Sequence, residues 1–491
     1  MIRVPLALLF LPIITAIMCL LVNNRKIIGV FNLGGGVLIA AAAYQVAGSV
    51  FSQGTIEALG FIYIDALGAF IISIVAIIGL AASLYSVGYT LHEINQGEIP
   101  ESRLKWYYFW FYIFIFTMFL VVVVNNLGVM WVAIEGTTLA SALLVGYYDK
   151  KSSLEAAWKY IIICTVGIVF ALFGTILLYY AAIPLLGEGS GALNWKSLIL
   201  AADKLDPKLI KLAFIFILVG YGTKAGLAPM HTWLPDAHSQ APSPVSAMLS
   251  GVLLNCALYG IIRFHLIVSG SVGPNFSSNL LLIFGLFSIA VSLPFIIVQH
   301  DLKRLLAYSS IEHIGIITAA IGLGGKLGLY GAFLHMFNHA MTKTSLFFAA
   351  GNITQKYKTK KIAKIKGVIK VMPITGTAMV IGGLAIAGAP PFSIFLSEFS
   401  ILSSGFAQGR YMAAGLMLVF ITLVFAGIVY AVSGMALGSP QGRTAPGELG
   451  KWSAVMVVLP LIIVTVMGMY IPSFIDNILR QVVLVMAGGI Y

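Results

Sequence analysis

Long apolar runs recur along almost the whole of this 491-residue chain, each close to the ~20 residues that carry a helix across a bilayer. Candidate spans fall near residues 4–22, 27–51, 62–88, 107–124, 126–147, 158–183, 209–238, 242–268, 279–299, 305–324, 327–351, 373–405, 411–437 and 453–472, numbered helices 1 to 14 in that order. Little sequence is left for anything else. Only 9% of the residues are charged, against roughly 25% in soluble domains, so the chain cannot clothe a globule in polar surface. It is read as an all-α polytopic membrane protein with about 14 transmembrane helices.

The net charge of +12 would raise nucleic acid as a partner in a soluble protein. Here most of the cations fall between the apolar runs, so they orient the chain in lipid and no nucleic-acid partner is expected. Lys and Arg mark cytoplasmic loops, and 18 of the 29 follow odd-numbered helices, Arg25, Lys26, Arg443 and seven between Lys356 and Lys370 among them. Nine lie in the opposite loops, helix ends and termini, and only Lys224 and Lys343 fall within helices. Both termini are therefore expected outside, in a cytoplasmic membrane of prokaryotic type. Arg25-Lys26 outweighs Arg3, the reverse of a cleaved signal peptide, so helix 1 is expected to be retained. The basic run 355–366 suits anionic lipid, although a solvated loop obeying the charge rule accounts for it.

Ionisable side chains inside the hydrocarbon cost several kcal/mol and tend to mark a pathway or a ligand. Glu135 falls in helix 5, Lys224 in helix 7, Glu312 and His313 in helix 10, and Glu398 in helix 12. Helix 11 carries His335, His339 and Lys343 at i, i+4 and i+8, which puts them on one face about 6 Å apart. Three aligned titratable groups favour proton transfer over isolated hydrogen bonds. Glu312 and His313 read equally as a second proton intake or as a structural pair. His231, Asp236 and His238 offer metal-ligand chemistry but no four-ligand set, so hydrogen bonding or proton intake is the reading preferred there.

Cys19, Cys164 and Cys256 lie far apart in apolar segments, which gives no zinc or iron–sulfur spacing. Haem between His335 and His339 is disfavoured because bis-histidine ligation takes rings from facing helices. No cofactor is thus expected in this chain, and the energy for transport must come from another subunit or an ion gradient.

Two spans contain breakers, Ala225-Gly-Leu-Ala-Pro229 just after Lys224 and Ala387-Gly-Ala-Pro-Pro391 before Glu398. Proline removes an N–H and disrupts the preceding turn, and such backbone is tolerated at membrane depth only inside protein or along a cavity. Paired interrupted helices point to an inverted repeat with its ion path at the breaks. The spacing agrees, since 89 residues separate Glu135 from Lys224 and 86 separate Glu312 from Glu398.

The stretch Lys224-Ala-Gly-Leu-Ala-Pro-Met-His-Thr-Trp-Leu-Pro-Asp-Ala-His-Ser-Gln-Ala-Pro-Ser-Pro-Val-Ser-Ala247, with Asp301-Leu-Lys-Arg-Leu-Leu-Ala-Tyr-Ser-Ser310, resembles the antiporter-like, proton-translocating subunits of complex I, Mrp-type sodium/proton antiporters and group 4 membrane-bound hydrogenases. Ser310-Ile-Glu-His-Ile-Gly315 and Leu396-Ser-Glu-Phe-Ser400 look most like the hydrogenase-4 component F branch. The resemblance covers helices 4 to 13. It implies three N-terminal helices (1–106), inverted five-helix repeats at 107–268 and 279–437 with helices 7 and 12 broken, and helix 14 with a C-terminal tail (438–491). By the same resemblance Glu135 matches the family's helix-5 glutamate and Lys224 its helix-7 lysine partner, and the two are expected to form a switchable ion pair whose separation releases the lysine's proton. His335, His339 and Lys343 then match the family's central axis, and Glu398 its terminal site. Where several relatives carry a helix-8 lysine this chain has Asn255, which can hold water but cannot store a proton. The long C-terminal lateral helix of one complex I relative is not expected here.

Together these readings describe a proton-translocating, and alternatively sodium-translocating, subunit of a redox-driven assembly such as a membrane-bound hydrogenase or formate hydrogenlyase. Its redox cofactors would sit in partner subunits, and its neighbours would be other membrane subunits and lipid. The alternative is a subunit of a Mrp-type sodium/proton antiporter.

Overall fold

A computed structural model describes residues 4–440 and 445–488, together with the backbone of Arg3. Arg443, counted above among the inner cations, lies outside the described residues. The described residues are helical almost throughout, and fourteen candidate spans are present among them. They are α1 (Arg3–Leu21), α2 (Arg25–Gln53), α3 (Ala66–Asn95), α4 (Leu104–Val123), α5 (Leu127–Val145), α6 (Lys151–Leu186), α7a (Pro207–Ala225) with α7b (Trp233–Gln240), and α8 (Ser243–Val272). After these come α9 (Pro274–Ile297), α10 (Leu302–Leu323), α11 (Lys326–Tyr357), α12a (Pro373–Ile386) with α12b (Ser393–Ala407), α13 (Tyr411–Ala436) and α14 (Lys451–Met469). Eleven described helices are long and apolar enough to cross a membrane by length and composition alone. The other three, α7, α11 and α12, carry breaks or charges of their own.

The centre and the rim differ in a way that composition does not announce. Every residue in the most apolar stretch of α8 and of α10 is enclosed, whereas α13 buries only 28% of its own. Peripheral helices keep an apolar flank for lipid, as with Trp158, Ile162, Val166 and Val169 on α6. Small residues let neighbours close in, as membrane helix packing requires. A Cβ on Gly220 of α7a would run into Ala171 of α6, and one on Gly285 of α9 into Ala319 of α10.

Both broken helices end in the same way. At α7a, Leu227 N donates to Gly222 O (2.8 Å) and Gly226 N to Thr223 O (3.2 Å), with Gly226 left-handed at φ +77°. At α12a, Ala389 N donates to Leu384 O (3.0 Å) and Gly388 N to Ala385 O (3.1 Å), with Gly388 at φ +82°. These are paired Schellman caps, which return the terminal carbonyls to backbone donors and need glycine at the left-handed position. Proline then prevents the helix from resuming at once.

Three features depart from the sequence reading. Arg263, counted there as an outer-end cation, is buried and paired bidentately with Asp65 at 2.6 and 2.7 Å, under the rings of Trp195 and Tyr259. Lys303, counted as a loop cation, is also buried and donates to Ala241 O (2.5 Å). The tail contains a further amphipathic helix, α15 (Ser473–Met486), which packs on α3 and α11 and fixes Tyr330 through Asp476 (2.9 Å).

Candidate functional site

The first polar group lies between α5, α6 and α7a. Lys224 occupies the last turn of α7a, where the negative end of the helix dipole favours a cation. Its Nζ donates to Tyr160 OH (2.6 Å) and Thr138 Oγ1 (2.8 Å), and it stands 4.7 Å from the centre of the Tyr160 ring. The Thr138 hydroxyl in turn donates to Glu135 Oε2 (3.0 Å), while Thr165 donates to Oε1 (2.9 Å). Glu135 and Lys224, expected as a switchable ion pair, are here joined through the Thr138 hydroxyl. The physical reason is the helix spacing: Thr138 lies one turn along α5 from Glu135 and reaches the lysine first. Glu135 is only partly buried, on the outward side of α5. Trp233 of α7b stacks near Tyr160 (4.6 Å) and donates to Thr223 O (2.8 Å), so the second half of the broken helix holds the first in place.

The second group fills the space between α10, α11 and α12b. Lys343 donates to Leu306 O (2.7 Å) and to Ser309 Oγ. The His339 ring lies 5.3 Å from that of His313, and neither of its nitrogens has a hydrogen-bond partner among the described residues. His313 Nδ1 lies 2.8 Å from His335 Nε2, and His335 Nδ1 lies 2.9 Å from Ser397 Oγ. Because the Ser397 hydroxyl donates to Ile394 O (2.7 Å), it accepts from His335. That fixes His335 as the Nδ1–H tautomer and makes its Nε2 the acceptor for His313 Nδ1–H. The remaining nitrogen, His313 Nε2, lies 3.9 Å from Glu312 Oε2, and neither atom has a hydrogen bond among the described residues. Glu398 completes the cluster, its ligand atom within 4.8 Å of those of His313 and His335. Its carboxylate folds over Gly388 at the break, where a Cβ would collide with Oε2. The two histidines stand too close for a porphyrin to lie between them.

Between the two groups the first third of α8 contains a π-helical turn, Leu249–Leu253, of the kind that recurs at functional positions. Ser250 on that turn bonds Ser310 of α10 (2.7 Å). Asn255 donates to Gly251 O (2.8 Å) and leaves its Oδ1 without a partner among the described residues.

His231, Asp236 and His238 do not converge. Asp236 pairs with Arg304 (2.6 Å) and Lys159 (3.5 Å), His231 sits near the Tyr308 ring, and His238 stacks on Phe347 (5.1 Å). At the side marked by the odd-numbered loops, a cavity of about 250 Å3 is lined by Glu93, Lys150, Lys303, Gln355 and Lys360 among others. Glu93 accepts there from Tyr148 (2.9 Å) and Gln355 (3.3 Å). At its rim Lys150 holds the Glu98 carboxyl below its ordinary range through a 2.7 Å contact.

The sequence reading missed Thr138, Tyr160, Thr165, Ser309 and Ser397, since a hydroxyl within an apolar run has no distinguishing signal until the helices are assembled. Glu93 had one, as an acid close to the end of a span.

Residues 124–426 match the NADH:quinone oxidoreductase/Mrp antiporter transmembrane family. The chain belongs to that family. It is 42% identical over 431 residues to a Hydrogenase-4 component F homolog of Methylacidiphilum infernorum, covering 88% of this chain and 85% of that one. It is also 30% identical over 442 residues to NADH-quinone oxidoreductase subunit N of Desulforudis audaxviator, covering 85% and 83%. A chain of the membrane-bound sulfane sulfur reductase, an archaeal respiratory membrane complex, shares its fold with a TM-score of 0.87 at 24% identity, over 99% of both chains. The protein is a multi-pass membrane protein.

Proposed function

We propose that this chain, an ion-translocating membrane subunit of the NADH:quinone oxidoreductase/Mrp antiporter family, moves protons through its two buried polar groups on behalf of a hydrogenase-type redox complex. The observation that carries the reading is the His313–His335 contact of 2.8 Å, oriented by Ser397 and bordered by Glu398 at the α12 break. Imidazoles joined nitrogen to nitrogen pass protons by exchanging lone pairs and N–H bonds, whereas sodium wants a cage of oxygen ligands. The inner cavity serves as the intake, with Glu93 and Lys303 at its wall. Glu135 and Lys224 act as a switch working through Thr138. Ser250 and Ser310 link the halves toward Lys343, and His339, His313 and His335 carry the proton to Glu398. Glu312 serves as a local acceptor beside His313.

The inverted repeats occupy residues 107–268 and 279–437, and the matching caps at the two breaks support that division. Redox cofactors reside in partner subunits, in line with the hydrogenase and quinone oxidoreductase names of the relatives. Both termini face the outside of a prokaryotic cytoplasmic membrane. Single cysteines placed at Lys361 and at Gly189 test this orientation, with Lys361 labelled only from inside.

The function is tested with the membrane complex purified through this chain and reconstituted in vesicles. Lys224→Ala and Lys343→Ala are each expected to stop proton transport while the complex still assembles and turns over its redox substrates. Undiminished transport in either variant, or transport that requires sodium, contradicts the reading.

A further inference from the structure

The cluster between α10, α11 and α12b has a second chemical capacity, because the lone pairs that pass a proton also bind a borderline-soft metal ion. We propose that His313 Nδ1, His335 Nε2 and the Glu398 carboxylate form a site for a divalent transition-metal ion of the zinc class, with Glu312 and Ser397 as its outer-shell partners. One ligand atom from each of the three residues already lies within 4.8 Å of the other two, His313 Nδ1 and His335 Nε2 stand 2.8 Å apart, and all three residues are buried. Two neutral imidazoles and one carboxylate are the donor set of an open zinc site, with a fourth position free. Magnesium and calcium, which want oxygen, are disfavoured by the same set.

Ligands on a tetrahedral ion with bonds of about 2.0–2.1 Å stand about 3.3 Å apart. The histidine nitrogens, now 2.8 Å apart, need to part by only about 0.5 Å on that metric.

The outer shell carries the assignment further. Metal-bound histidines donate their other N–H to a carboxylate or another oxygen. His335 already directs Nδ1–H at Ser397. When metal replaces the proton on His313 Nδ1, that proton moves to Nε2, which faces Glu312 Oε2 at 3.9 Å, buried and without a hydrogen bond among the described residues.

The probe is Co2+, added to the metal-stripped full chain in detergent and followed by its visible d–d absorption. One equivalent bound with the intense bands of a four-coordinate site, displaced by Zn2+, is expected. His335→Gln and Glu398→Gln abolish the bands, Glu312→Ala weakens cobalt affinity about 10- to 100-fold while keeping them, and the exposed-histidine variant His300→Gln changes nothing. Absence of the bands in the wild-type chain overturns the site whether or not any variant folds. So does their persistence in a His313→Gln/His335→Gln variant. Inhibition of proton transport by Zn2+ over the same concentration range rests additionally on the proton-path reading, and binding without inhibition would fault that reading and leave the site standing.

Discussion

Replacing Gly388 with alanine should separate proton transport from folding, because the glycine has two distinct duties. Its φ of +82° lies in the left-handed region, where a Cβ costs about 1–2 kcal/mol. A Cβ built there also meets the Glu398 side chain, at 3.0 Å from the carboxyl carbon and closer still to Oε2. A relaxed carbon–carbon contact is about 3.5–4.0 Å, so the carboxylate must retreat by roughly 0.5–1 Å. Misplacement on that scale costs about 10²-fold where reacting groups must be aligned. Gly226 at the other break supplies the control. It has nearly the same φ, +77°, but its Cβ would meet only the terminal methyl of Leu234 at 2.5 Å, an end that can swing aside. Both Gly388→Ala and Gly226→Ala should therefore lose about 1–2 kcal/mol of stability. In the reconstituted complex only Gly388→Ala should lose transport by about two orders of magnitude. Equal transport in the two variants, high or low, would refute the claim that Glu398 is positioned by the glycine beneath it.

Three further outcomes follow from the same geometry. Thr138→Val removes the hydroxyl shared by Lys224 and Glu135, and since hydrogen bonds to charged groups contribute about 1.5–3 kcal/mol, proton transport per redox turnover should fall tenfold or more, with Thr138→Ser close to wild type. Arg263→Met leaves Asp65 charged and buried without its partner, so thermal unfolding in detergent should register a loss of about 3–5 kcal/mol; adding Asp65→Asn should restore part of it, and no loss in the single variant would count against the buried pair. Glu98 titrates below its ordinary value because of Lys150, so the pair stabilises the folded chain above the unfolded carboxylate pKa and ceases to do so as pH falls through the folded one. Both side chains are more than half exposed, which limits the loss in Glu98→Gln at neutral pH to about 0.2–1 kcal/mol, and the difference from wild type should vanish in an acid titration of stability.

Transport across a bilayer imposes opposite demands on such a chain. Helices must be apolar enough to insert, yet the path needs groups that hydrogen-bond and titrate. The fold meets both demands by placing its polar residues on the enclosed α8, α10 and α11 and at the two breaks, while α1, α2, α6 and α13 face lipid. Glu135 is the exception, a carboxylate half-open on the outward side of α5, and its surroundings in an assembly would be set by whatever lies against that face.

The sequence by itself determined the apolar runs that form the spans, the positions of both breaks and most of the charged residues at membrane depth. Each of these follows from local physics: apolar length fixes a span, glycine and proline fix a break, and a charge inside an apolar run is conspicuous wherever it points. Only the tertiary structure decided which groups meet. Helical spacing aligned His335, His339 and Lys343, but their partners come from other helices, His313 from α10 and Ser397 from α12b, and nothing in one helix encodes the rotation of its neighbour. The same holds for Thr138 standing between Glu135 and Lys224, and for Arg263, whose outer-end position looked solvated until Asp65 and Trp195 closed over it. Contacts between helices arise from packing over long sequence separations, so a linear reading can name the charges without saying what each one touches.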